Sequence, residues 1–249
     1  MDSRHLRAWP LAEHSRLVRS RPHEWHVQQA GVGPDILLIH GTGAATHSWR
    51  YLLPRLTDRA RVTAIDLPGH GFTRLGSRMR SSLSALSQDV VSLCGTLDIA
   101  PRLIVGHSAG AAIGLRVAEA LGQDTRMIGI NPALAPFDGL AGVMFPMAAR
   151  MFAMTPGMAR TVARQMRQPG QILGLLRGTG SDIPTSQMNL YAQLFRDRDH
   201  VDGTLLMLSQ WNLDGLRADL PRIATPCLFL TGSQDRTVPP VADRIGALI

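Results

Sequence analysis

The sequence of 249 residues contains no lysine, so all 26 of its basic residues are arginines. The formal net charge is +7, but the arginines are scattered and no aromatic residues are interleaved with them to stack on bases. The composition therefore argues against a nucleic-acid partner. We interpret the arginine-only set as a coding bias, and attraction to an anionic membrane surface is the functional alternative.

Cysteine is also scarce, with one residue in a helical pattern (Cys94) and one in an apolar strand (Cys227). Neither belongs to a group with the spacing of metal ligands, and no other set of histidine, cysteine, aspartate or glutamate residues has that spacing. We expect both cysteines to be small core residues in a reducing compartment. The sequence predicts no metal site and no cofactor.

Long apolar runs are absent as well. Residues 1–20 carry charges throughout and include no apolar segment of the kind found in signal peptides. No stretch of about twenty uncharged apolar residues exists, so no transmembrane span is predicted. We expect a cytoplasmic protein whose only membrane contact would be peripheral.

Strand and helix patterns alternate along most of the chain, which is 45% apolar and long enough for one large domain. This alternation predicts an α/β fold with a mainly parallel sheet flanked by helices. From 133 to 214 the pattern is helical, which predicts a cap inserted between a first core part, 1–132, and a second, 215–249. The sequence ends inside a helical pattern, and we expect the C-terminal strand and helix of the fold to be missing. Strands are predicted at 15–20, 25–29, 35–40, 61–67, 102–106, 127–130 and 226–231, and body helices at 47–56, 82–97, 109–121 and from 239.

The strongest chemical signal is the segment GHSAG at 106–110, which follows an apolar strand and precedes a helix rich in small residues. This is the context of a nucleophile elbow, a strand-to-helix turn so tight that its flanking positions require glycine. We predict that Ser108 is a catalytic nucleophile exposed at the carboxyl edge of the sheet. An ordinary tight turn with an exposed serine is the alternative. His107, within the same turn, is a candidate substrate-binding residue.

Two further segments complete the predicted site. Acyl transfer requires two N–H donors at the oxyanion, and we assign them to Thr42, in the glycine-rich loop after the strand at 35–40, and to Ala109. His40 is expected to be structural. Asp235 follows the last predicted strand, where a triad acid would orient a histidine; a turn-forming aspartate is the alternative. The last histidine is His200, so the given sequence lacks the expected base, and we expect this chain to have little hydrolase activity.

A methionine stripe marks the predicted cap, with Met147 and Met151 at its centre. Its spacing of three and four residues places the methionines on one helix face. The stripe either packs the cap onto the body or lines a site for a large apolar ligand. Pro156 is expected to break this helix.

The core motifs resemble the α/β-hydrolase superfamily, and within it the magnesium-chelatase accessory proteins of bacteriochlorophyll biosynthesis. The segments HGTGAATHSWR (40–50), DLPGHGFT (66–73) and GHSAGAAIGLRVA (106–118) suggest the second resemblance as well as the first. The segments INPALAPFDGLAGVMFP (130–146), GTGS (178–181) and LSQWNLDGLRADLPRI (208–223) point the same way and are the more specific part. The resemblance implies a role near magnesium insertion into a tetrapyrrole in photosynthesis, but no reaction. Two hypotheses follow: a serine hydrolase acting on an ester or acyl bond of a bulky apolar substrate, or a non-catalytic protein that binds a porphyrin or magnesium chelatase.

Overall fold

A mainly parallel sheet runs through the centre of the protein. The computed structural model describes residues 1, 3–122, 124–135, 148, 150–168, 170–178, 180, 183–233 and 235. Within these residues the sheet has 7 strands in the order β1-β2-β4-β3-β5-β6-β7. β1 and β2 are antiparallel to their neighbours, and all pairs from β4 to β7 are parallel, as predicted. The strands are β1 (Ser15–Ser20), β2 (His23–Ala30), β3 (Asp35–Ile39), β4 (Arg61–Ile65), β5 (Pro101–His107), β6 (Arg126–Ile130) and β7 (Cys227–Leu230).

Helices cover both faces of the sheet and fill the interval between β6 and β7. The main body helices, α2 and α3, have the bounds that their periodicity predicts. Ser82 caps α2, because its side chain accepts a hydrogen bond from the Ala85 N–H. The helices are α1 (Leu53–Leu56), α2 (Leu83–Leu97), α3 (Ala109–Leu121), α4 (Met158–Gln165), α5 (Gln171–Gly178), α6 (Thr185–Phe195), α7 (Arg198–Gln210) and α8 (Asp214–Asp219). None of the helices in the described part of the chain has the length and apolar character needed to cross a bilayer.

The core lies on both faces of the sheet because side chains alternate along each strand. On β3, Leu37 and Ile39 belong to the cluster formed with α2 and α3, whereas Leu38 belongs to the cluster around Trp49 and Leu53. These β3 side chains are at most 1% exposed. A strand buried on both faces explains the uninterrupted apolar run in its sequence.

Two structural predictions are wrong. The single helix predicted at 47–56 is a 3-10 turn, Thr46–Trp49, followed by the short helix α1. Pro54 has no N–H to donate to the carbonyl four residues earlier, which prevents a continuous helix. Cys94 is buried as predicted, but Cys227 is exposed. Cys227 lies on β7, the outermost strand of the described sheet, where the apolar pattern does not produce full burial.

The inserted helices, α4 to α7, fall in the interval predicted as a cap, and the division into core and cap stays a prediction. α7 contacts the body through backbone: a Cβ on Gly203 would collide with the carbonyl group of Gly69. Residues 150–154 are helical and α4 begins at Met158, so the helix ends before Pro156 as expected. The predicted helix at 239–249 lies outside the described residues.

Candidate active site

Ser108 occupies a strained turn between β5 and α3. Its backbone angles are φ 52° and ψ −119°, a region that residues other than glycine rarely adopt. The Ser108 N–H donates to the carbonyl of Ile130 at 2.9 Å, and the Ser108 carbonyl accepts from the N–H groups of Ala111 and Ala133 at 3.0 and 3.1 Å. These bonds hold the strained conformation from the first turn of α3 and from the end of β6 with the loop that follows it.

Glycines make the elbow sterically possible. A Cβ on Gly110 would collide with the carbonyl oxygen of Ile39, so the first turn of α3 packs directly on the end of β3. A Cβ on Gly41, in the loop after β3, would lie 3.0 Å from the Cβ of Ser108. The glycine-rich loop therefore lies against the serine, as the sequence-based assignment of an oxyanion loop demands.

The two predicted oxyanion donors flank this contact. Ala109 is the first residue of α3, so its N–H has no acceptor within the helix. Thr42 directly follows Gly41, and within the described ranges neither Thr42 nor Ala109 donates its N–H to a backbone carbonyl. The Thr42 hydroxyl donates to the sulfur of Met207 at 3.6 Å, which places a flexible apolar side chain from α7 beside the loop. Two N–H groups are thus available near Ser108.

Asp235 lies at the carboxyl edge of the sheet, where the segments that follow β5, β6 and β7 meet. The Asn131 side chain donates to the Asp235 carboxylate at 2.7 Å and accepts from the Gly232 N–H at 2.6 Å. Burial lowers the pKa of His107, and the negative charge of Asp235 raises it in part. The carboxylate therefore acts electrostatically on the residue that precedes Ser108. Sequence reasoning missed Asn131, although its position directly after β6 places it at this edge.

His200 is not available as a base in this conformation. Its Nδ1 accepts a hydrogen bond from the Gly71 N–H at 3.1 Å, and its Nε2 donates to the carbonyl of Gly43 at 3.2 Å. Burial lowers the pKa of His200 well below its ordinary value, so the ring is neutral. His200 thus ties α7 to the glycine-rich loop. His40 is structural as predicted: its Nδ1 donates to the Gly41 carbonyl at 2.7 Å.

A buried carboxylate, Asp66, supports the loops below the site, and sequence reasoning missed it. It accepts from the ring of His26 at 2.7 Å and from the N–H groups of Thr46 and Phe72 at 2.7 and 2.9 Å. Burial raises the pKa of Asp66, but the nearby histidines and hydrogen bonds together hold it below its ordinary value. The pattern of an aspartate just after a buried strand was the available signal.

The methionine stripe is only partly described. Met147 lies outside the described residues, and Met151 is 59% exposed. The alternative in which the whole stripe packs against the body is therefore wrong at Met151. Within the described residues, no group of three histidine, cysteine, aspartate or glutamate side chains is placed to hold a metal ion.

Comparisons with known proteins identify the family and the fold of the chain. A family model described as the alpha/beta hydrolase family matches residues 36–249. The chain is 43% identical over 245 residues to the magnesium-chelatase 30 kDa subunit of Rhodobacter capsulatus, covering 96% of this chain and 85% of that one. Pimeloyl-[acyl-carrier protein] methyl ester esterase of Methylococcus capsulatus is 39% identical over 95 residues, which are 37% of this chain and 34% of the esterase.

Solved structures share the fold. An alpha/beta hydrolase fold protein from Burkholderia ambifaria superposes with a TM-score of 0.72 at 20% identity, covering 94% of this chain and 90% of that chain. This likeness confirms the predicted α/β-hydrolase architecture and says nothing of the reaction.

Proposed function

Because the chain belongs to the alpha/beta hydrolase family, we propose that it is a serine hydrolase whose nucleophile is Ser108. The observation that carries this proposal is the strained backbone of Ser108, with φ 52°, held against the glycine-rich loop at Gly41. Strain at a residue of this kind is maintained where it serves function. An ordinary structural turn would not need a non-glycine residue in this conformation.

In this proposal the Ser108 hydroxyl attacks the carbonyl carbon of an ester or acyl bond. The N–H groups of Thr42 and Ala109 stabilise the oxyanion that forms. Asp235 holds a histidine in the correct tautomer and stabilises its charged form. Both ring nitrogens of His200 are bonded to backbone, so the proposal requires a histidine other than His200.

The proposed substrate is bulky and apolar. Met207 is buried, but its flexible thioether beside Thr42 gives the glycine-rich loop an apolar neighbour that can adapt to a ligand's shape, which supports this choice. Met147, Met151 and His107 are proposed to line the same pocket. The esterase relative supports an ester bond, and the magnesium-chelatase subunit name supports a tetrapyrrole or its lipid partner, in bacteriochlorophyll biosynthesis. A cytoplasmic location belongs to the same proposal.

A fluorophosphonate probe tests the nucleophile. We expect the complete gene product to be labelled at Ser108, and Ser108→Ala to be unlabelled. Ser84→Ala is the matched control, because Ser84 is exposed on α2 and should not affect labelling. Equal labelling of the Ser108→Ala variant, or no labelling of the intact protein, would exclude the hydrolase.

The second candidate function is a non-catalytic accessory protein that binds a porphyrin or magnesium chelatase. The 43% identity to a chelatase subunit over 245 residues favours it. Titration with protoporphyrin, monitored by fluorescence quenching, separates the two candidates. Saturable quenching in a protein that the fluorophosphonate does not label would favour the accessory role.

A further inference from the structure

The helix α7 has two faces that lie in different environments. His200, Gly203 and Met207 face the body, where they contact the loops around the candidate active site. Asp202 lies on the other side of the helix, and the buried side chain of Leu206 lies between the two faces. They line a cleft of about 890 Å³ together with residues 78–79 and the helical segment at 150–154. Ser108 is not among the residues that line this outer cleft.

The outer cleft is positively charged. Its lining contains three arginines, Arg78, Arg150 and Arg198, and a single carboxylate, Asp202, which pairs with Arg78. Among its contacts with described residues, Arg150 uses only its Nε, which donates to the carbonyl of Ser209 at 3.0 Å. Within the part of the chain that the structure describes, Arg198 has no hydrogen-bonded or ionic partner. Most of the guanidinium donors of Arg150 and Arg198 thus remain available for an anion.

Exposed methionines line the same cleft. Met79 is 83% exposed and Met154 is 81% exposed, among the highest values for large apolar side chains in the described structure. A purely polar anion would leave these side chains in water, and a neutral apolar ligand would cover the arginines without pairing them, which is costly. A ligand with an anionic head and an apolar body satisfies both groups. The volume is in the range of pockets that hold small molecules.

We propose that the outer cleft is a second binding site, distinct from the Ser108 site, for an amphipathic anion. A carboxylate or phosphate head group binds Arg150 and Arg198, and the apolar body of the ligand packs on Met79 and Met154. The same head group could belong to a free amphiphile or to a lipid in a membrane. We assign the site to the free amphiphile, because a concave cleft encloses a single ligand more completely than a flat surface does.

Isothermal titration with dodecyl phosphate, below its critical micelle concentration, tests this site. We expect saturable binding that weakens about tenfold or more in an Arg150→Gln, Arg198→Gln double variant. A Met79→Ser, Met154→Ser double variant should also bind more weakly. All four side chains are exposed, so the melting temperature should stay unchanged.

Controls separate the proposal from its alternatives. An Arg102→Gln, Arg126→Gln double variant removes the same charge at the opposite edge of the sheet and should bind normally. Ser108→Ala should also bind normally, so the outcome is independent of the hydrolase proposal. An equal loss in the Arg102, Arg126 variant, or equally tight binding of inorganic phosphate, would overturn the proposal. Association with phosphatidylglycerol vesicles without binding of monomeric dodecyl phosphate would also overturn it, in favour of a membrane surface.

Discussion

Asp66 and Asp235 both follow strands at the carboxyl edge of the sheet, yet their surroundings differ. Asp66 is fully buried, and it accepts hydrogen bonds from His26 and from two backbone N–H groups. Asp235 is only partly buried, and Asn131 holds it beside the elbow. A buried carboxylate with several fixed partners organises loops. A carboxylate at the elbow that still reaches solvent has the environment needed to assist a reaction.

Substitutions at the two aspartates should therefore change different properties of the protein. Changing Asp66 should affect the free energy of unfolding, whereas changing Asp235 should affect the reactivity of Ser108. Asp58 provides a common control, because it is exposed. An Asp58→Asn variant should change stability by no more than about 0.5 kcal/mol and leave reactivity unchanged.

The largest effect is expected for Asp235→Asn. In the complete gene product, ester turnover should fall by about 10⁴-fold, because an amide cannot hold the histidine in the reactive tautomer. The free energy of unfolding should change by less than about 1 kcal/mol, since the side chain is only partly buried. Turnover of a p-nitrophenyl ester and urea denaturation measure the two quantities. Unchanged turnover would show that Asp235 is a turn residue.

Asp66→Asn should destabilise the fold by about 3 kcal/mol, because the amide cannot accept all the buried hydrogen bonds that the carboxylate accepts from His26, Thr46 and Phe72. Urea denaturation followed by circular dichroism measures the loss. If this variant does not fold, His26→Gln tests the same pair from the other side. A change as small as that of Asp58→Asn would contradict the structural role of Asp66.

Acid should weaken the loops around Asp66 before it affects isolated carboxylates. Burial lowers the pKa of His40 to about 3 and of His47 and His70 to about 4, from 6.5. The unfolded chain therefore takes up protons first, so stability that is present above pH 6.5 is lost as the pH falls. Each histidine that stays neutral in the folded state lowers the free energy of unfolding by about 1 kcal/mol between pH 6.5 and 5.5. The total loss is about 1–3 kcal/mol.

Urea denaturation at several pH values measures this loss. His70→Gln should flatten the dependence by up to one proton, whereas a change at the exposed His5 should not. A flat profile between pH 6.5 and 5.5 would show that the rings are protonated in the folded state. The low pKa of Asp66 contributes separately: that part of the stability is lost only as the pH falls below about 4.

The features that sequence predicted are local in the chain. The elbow around Ser108 is defined by five consecutive residues, and strand β3 by one apolar run, so both were found. The contacts that sequence missed join distant residues. Asn131 and Asp235 are 104 residues apart, and His200 and Gly43 are 157 apart. Such pairs are created by the topology of the sheet and the placement of α7, which no local pattern encodes.

The other wrong predictions concern the burial of the outermost strand, β7, and the continuity of the helix at 47–56. The apolar pattern of β7 predicted a core strand and a buried Cys227, but pattern alone does not tell a central strand from an outer one. The pattern at 47–56 had the right period for a helix and failed because of one residue, Pro54. The hydroxyl of Thr42 contacts the sulfur of Met207, so α7 touches the glycine-rich loop, although the sequence assigned these two residues to separate parts.

The close contact between Gly203 and Gly69 limits which positions of α7 can be redesigned. No side chain fits between α7 and the turn below it, so the inner face of the helix cannot be edited without lifting it from the body. Arg198 and Asp202, which border the cleft, carry no such restriction, because Arg198 is exposed and Asp202 is only partly buried. A library of substitutions at 198 and 202 can therefore alter ligand selectivity on one side while the scaffold that supports Ser108 stays fixed on the other.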